Sequence, residues 1–191
     1  MTNNVAIKKI DNYNFVNVEN ALTELFASID ASKLFKQNLT VLVKINAGVD
    51  ANPDLAQTTH PAVVQAVVNL LTKFGAKCII ADSPIKQYSQ NGLDKIYFDT
   101  GMLEVANSCR CTLNHNLAVC KTEIANGIKT KSATLLEVVK QADLIVNVGK
   151  LSVDDNLGAL GVATGIFGLV PGDIKQLVLN RLTTVEDFNN Y

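Results

Sequence analysis

The sequence predicts an α/β fold, a mostly parallel sheet with helices on both faces and a β-hairpin excursion in the middle, and three observations carry that reading. Three apolar runs, Val41-Leu42-Val43, Ile79-Ile80-Ala81 and Leu144-Ile145-Val146, read as short buried strands. Between the first two, a valine-rich segment starting at Pro61 carries apolar residues over a wide helical face, as expected of a helix packed on a sheet. Asn126-Gly127, between two alternating segments, is a dipeptide that favours a hairpin turn.

In chain order, Val5-Ala6-Ile7 running into Lys8-Lys9-Ile10 predicts a first strand, and Val18, Leu22, Leu25, Phe26 and Ile29 predict a helix. Leu39 to Ile45 is the next strand. The segment from Ala47 to Pro53 is rich in Gly, Pro, Asn and Asp and reads as loop. Pro61 suits a first helical turn, where its missing N–H costs nothing, and Gly75 suits the stop. Cys78 to Ala81 then completes a strand, loop, helix, strand unit, with a right-handed crossover expected. Beyond it we expect a short helix near Leu103 to Ala106 and a hairpin pairing Leu117–Thr122 with Ile128–Lys131. A short helix over Leu135 to Val139, a strand from Asp143 to Val148 and a glycine-bearing helix from Gly158 to Phe167 complete the reading.

The 191 residues suit a single α/β domain spanning 1–191, of a size that buries roughly 70% of its unfolded surface. No apolar run approaches the ~20 residues that span a bilayer. Met1 to Asn4 lacks the basic and apolar regions of a secretory signal, so a cytoplasmic protein is expected. Seventeen basic residues against eighteen acidic ones leave a net charge of −1, which offers a phosphate backbone no broad positive field. Neither nucleic acid nor a membrane is an expected partner. The four cysteines, at 78, 109, 111 and 120, are expected to be free thiols.

Each of the three strands ends in polar residues able to do chemistry, and parallel strands would gather those residues at one carboxyl edge, where open α/β sheets bind ligands. Lys44 and Asn46 lie two apart and would share a face if the strand stays regular. Thr58, Thr59 and His60 precede Pro61 and would stand at a helix start, either as part of an anion site or as caps. Asp82 and Ser83 end the second strand, and Lys150 follows the last. With two histidines in the chain, a multi-histidine metal site cannot be built, but Asp82 and His60 could hold a divalent ion with water. Gly158, Gly161, Gly165, Gly168 and Gly172 match neither a P-loop nor a dinucleotide fingerprint. The spacing of the first four reads instead as a smooth helix face for close packing. Cys109-x-Cys111 without a second pair makes no zinc or iron–sulfur site.

The chain resembles the DUF362 family, a set of largely uncharacterised proteins often associated with ferredoxin-type iron–sulfur modules. The resemblance rests on the runs 41–46, Thr58-Thr59-His60-Pro61, Gly75-Ala76, Asp82-Ser83-Pro84, 142–150 and Phe167-Gly168-Leu169-Val170-Pro171-Gly172, and covers roughly residues 5 to 172. Family members usually read Lys-Pro-Asn where this chain has Lys44-Ile45-Asn46, and Lys-x-His where it has Ser152-Val153-Asp154. A Lys-Asn pair before Phe-Gly is replaced by Thr164-Gly165. Lost cations and an added carboxylate disfavour a highly anionic ligand. The ferredoxin-type cysteine run is absent, so no iron–sulfur cluster is expected in this chain.

Two functions follow as expectations. In the first, the carboxyl edge binds a small polar or anionic molecule, with or without a divalent metal, through Lys44, Asn46, Thr58, Thr59, His60, Asp82, Ser83 and Lys150. Replacing Asp82 or Lys44 by Ala should then abolish uptake and leave the melting temperature within a few degrees. In the second, the chain is a non-catalytic module that associates with an iron–sulfur or redox partner, or with a second copy of itself. Neither reading specifies a reaction.

Overall fold

The computed structural model describes residues 4–48, 51–85, 88–127, 130–154, 158–160 and 162–181, with the backbone alone of 152–154, 158–160 and 162–164. The expected first strand is absent. Residues 4–10 have no regular structure, and Val5 and Ile7 are 84% and 92% exposed, because no sheet edge pairs with them. Helix α1 (Phe15–Ser28) follows, with the Asn14 side chain accepting the Val16 N–H.

The centre of the molecule is a strand, β1 (Thr40–Ile45), linked through a loop to α2 (Pro61–Lys73) and then β2 (Lys77–Ala81). Gly75 stops α2 at φ 84°, a left-handed conformation that glycine adopts without Cβ strain. Next come α3 (Gln90–Asp99), α4 (Met102–Ser108), β3 (Cys111–Leu113), β4 (Val119–Glu123) and β5 (Ser132–Leu136). A 3-10 turn over Glu137–Gln141 leads into β6 (Leu144–Val148), and β7 (Ser152–Asp154), β8 (Gly158–Leu160), α5 (Val162–Phe167) and α6 (Gly172–Leu179) follow.

Four strands form one parallel sheet in the order β3-β2-β1-β6, with Leu42 opposite both Ile79 and Ile145. Alternation sorts β1 between two cores. Val41, Val43 and Ile45 meet Val64, Val67, Val68 and Leu71 of α2 on one face, while Leu42 meets Leu136, Val138 and Leu169 on the other. Each such fully buried side chain contributes about 1.5–3 kcal/mol. On the second face the 3-10 turn and the turn around Leu169 provide the cover, and α5 lies against β6 and β1. Among the described residues no helix is long and apolar enough to cross a membrane.

Several elements differ from the sequence reading. Leu135 and Leu136 belong to β5, with Leu135 opposite Cys120, so pairing with β4 overrides a spacing that also suits a helix. The hairpin is therefore real but its connection spans 124–131, since Glu123 faces Ser132. Ile128 and Lys129 of the expected second arm lie outside the described residues. Gly158 sits in β8, paired with Asp154, and Gly168 in the turn after α5, so the glycines do not share one helix face. Helix α3 escapes a composition-based reading because Asn91, Gly92, Asp94 and Lys95 dilute it, although Leu93, Ile96 and Tyr97 are buried at helical spacing.

Candidate functional site

Because β1, β2 and β6 are parallel neighbours in register, their polar carboxyl ends meet at one edge of the sheet. Lys44 lies opposite Ala81, so the next residue along β2, Asp82, comes within reach of its ammonium. Lys44 Nζ is 3.1 Å from Asp82 Oδ1 and also donates to the Ile45 carbonyl. The two side chains are 1% and 2% exposed. Asp82 is further held by the N–H groups of Ala47, 2.5 Å from Oδ2, and Ser83, 2.8 Å from Oδ1. A buried ion pair survives desolvation only when its remaining hydrogen-bonding capacity is met in this way.

A second cation, not anticipated from the sequence, completes the cluster. Lys175 of α6 is 4% exposed and donates to the Ser83 carbonyl at 2.7 Å. Burial pulls its amine down to about 8, with Asp82 opposing that shift and Lys44 adding to it. The one sequence signal was a lysine three residues before Val178 on the buried side of an amphipathic helix.

The chain closes over these charges at Gly168, whose backbone follows Gly165 through an N–H to carbonyl bond of 3.1 Å. A Cβ at 168 would collide with Lys44 Cε and Nζ and stand 2.5 Å from Asp82 Oδ1. Gly168→Ala is therefore expected to cost about 1–3 kcal/mol in a urea melt, as overpacking does. An unchanged midpoint would show that the Lys44 side chain moves aside freely.

At the point where the sheet order turns, between β1 and β6, Thr59 joins the two strand ends. Its hydroxyl accepts the Asn46 N–H at 2.8 Å and donates to the Val148 carbonyl at 2.6 Å, while its own N–H reaches the Asn46 carbonyl at 2.9 Å. The Asn46 amide donates to the Gln57 carbonyl at 3.4 Å, away from Lys44. Beside them, the Thr58 hydroxyl is buried with no hydrogen-bond partner among the described residues.

His60 caps α2, its Nδ1 accepting the Ala62 N–H at 3.1 Å, which assigns the ring proton to Nε2. The ring stacks on Tyr13 at 3.9 Å between centroids, and Lys150 Nζ lies 3.4 Å from the Tyr13 hydroxyl. Burial lowers the imidazole's affinity for a proton, Asp54 raises it and Lys150 lowers it, so the net shift is downward and the ring is neutral at pH 7. Nothing in the sequence pointed to Tyr13, which reaches this edge from the segment before α1.

The sequence-predicted residues thus fall into two groups at one edge. Lys44, Asp82 and Ser83 are buried beneath the Gly168 turn. Asn46, Thr58, Thr59, His60 and Lys150 surround the start of α2. The expected divalent site does not suit this arrangement, because Asp82 is neutralised by Lys44 and His60 spends Nδ1 on its cap. Among the described residues no group of three or more His, Cys, Asp or Glu could hold a metal ion. The four cysteines are free thiols.

Residues 41–189 match the family model described as "Domain of unknown function (DUF362)". That span begins in β1, so α1 and the residues before it lie outside the match. No curated protein and no solved structure matches the chain.

Proposed function

Since the chain belongs to the DUF362 family, whose description assigns no activity, we propose from its own geometry that it binds a small polar or anionic molecule at the carboxyl edge of the sheet. The observation that carries this reading is the buried cluster of Lys44, Asp82 and Lys175, two cations against one carboxylate beneath a single strand edge. Buried ionisable groups cost stability and concentrate at functional sites. Their positive excess favours an anion above them. Thr58, Asn46 and Lys150 supply a hydroxyl, an amide and an accessible ammonium beside the turn in strand order, where ligands of open α/β sheets sit.

Thermal unfolding in the presence of formate, acetate and inorganic phosphate, each matched in ionic strength with sodium chloride, tests the proposal. A binding anion at about 100 times its Kd should stabilise the protein by ~2.7 kcal/mol. Lys150→Gln should remove that gain while leaving the unliganded midpoint unchanged. If none of the three outperforms chloride, or if the variant responds as the wild type does, the reading fails.

A further inference from the structure

A hollow lies at the opposite, amino edge of the sheet, where the end of α2 meets the starts of β1, β2 and β3. Its volume is about 950 Å³, within the range of small-molecule sites. Three cations line it, Lys73, Lys77 and Arg110, and no carboxylate does. Glu19 approaches from outside and pairs with Lys73 at 3.0 Å. Among the described residues, Lys77 and Arg110 have no carboxylate partner.

These two cations are neighbours by topology. Lys77 opens β2, Arg110 immediately precedes β3, and Cys78 lies opposite Cys111. Adjacent strands run about 4.8 Å apart, so the backbones that carry these two cations are neighbours on the rim of one hollow. Like charges repel, and an anion held by both would relieve that repulsion. Two of the carbonyl oxygens at the end of α2 are already engaged as acceptors, Leu71 by the Phe74 and Ala76 N–H groups and Thr72 by that of Gly75. Ile79 and Ala76 supply an apolar wall below the cations.

We propose that this hollow binds a small molecule bearing a phosphate monoester on an apolar body. Two cations carried on neighbouring strand starts of one hollow match a single dianionic head better than two separated carboxylates. Arg110 offers the planar fork that grips phosphate oxygens in pairs, and Lys77 adds a point charge. The body of the ligand lies against Ile79 and Ala76.

Titration of the ¹⁵N-labelled protein with 1-naphthyl phosphate tests this. Saturable shifts are expected at the amides of Cys78, Cys111 and Thr112, with a Kd of roughly 1 mM or tighter. The double variant Lys77→Gln/Arg110→Gln alters two exposed side chains and should keep its spectrum elsewhere, while affinity falls about tenfold or more. Uncharged 1-naphthol should bind far more weakly than the phosphate, and Lys150→Gln, at the other edge, should bind the probe as the wild type does. The proposal is overturned if those amides do not respond, if the double variant retains full affinity, or if naphthol binds equally well. Loss of binding in Lys150→Gln would likewise overturn it by moving the probe to the carboxyl edge.

Discussion

Asp82→Asn is expected to lose about 3–5 kcal/mol of stability. Asparagine keeps the shape of the carboxylate but leaves Lys44 and Lys175 buried with no anion between them. The chain must then deprotonate one amine, open the Gly168 turn to water, or unfold. The early expectation that Lys44 and Asp82 could be truncated without affecting melting is revised by their depth: these residues hold the edge together before they can serve any ligand. Adding Lys44→Met to Asp82→Asn should restore much of the loss, because removing both members of a buried pair costs far less than removing one. Urea denaturation of wild type, both single variants and the double variant gives the coupling directly. A loss below about 1 kcal/mol for Asp82→Asn would place the pair in contact with water and contradict its burial.

The second large effect is a dependence of stability on pH that originates at Lys175. Its amine titrates near 8 in the folded protein, against an ordinary value of 10.5 for the unfolded chain. Between those values the unfolded state binds the extra proton, so stability rises as pH rises from about 8 to about 10.5, and below 8 the full penalty is present. The difference amounts to about 3 kcal/mol as an upper figure. Thiols act in the opposite sense over part of this range. Burial pushes Cys78 up to about 12 and Cys111 up to about 11, so their folded forms keep protons that the unfolded chain releases, and stability falls above about pH 9. The comparison that isolates the lysine is wild type against Lys175→Met. From pH 8 to 10.5 the wild type should gain on the variant by a few kcal/mol. Parallel pH curves would mean that Lys175 keeps its ordinary proton affinity when folded.

What the sequence made legible follows from which interactions are local. The unit from β1 through α2 to β2 could be read because β-branched runs, a proline start and a glycine stop act within a few residues of themselves. Parallel pairing then required that Asn46, Asp82 and Lys150 follow neighbouring strands to one edge. The β1–β2 register sets Lys44 against Asp82 and the Gly168 turn covers the pair, so their burial as an ion pair could not be read from either strand alone. Leu135 and Leu136 misled for a related reason: with Val138 and Val139 they fit helical spacing, yet pairing with β4 takes the two leucines into β5 and only the valines lie in a 3-10 helix. Val5-Ala6-Ile7 shows the converse, a locally strand-like stretch that pairs with no strand among the described residues. Tyr13 and Lys175, each brought in from a distant segment, illustrate why long-range members of a site escape a linear reading.

The Gly168 turn also bears on the order in which the molecule assembles. Lys44 and Asp82 leave the ribosome long before Gly168 and Lys175, and chains of this kind tend to organise from the amino-terminal side during synthesis. Until those later residues are in place, the two charges lack the segments that cover them. What keeps water from the pair is the turn together with α6, so the dryness of this ion pair rests on contacts as distant in the chain as that of Lys175 with the Ser83 carbonyl.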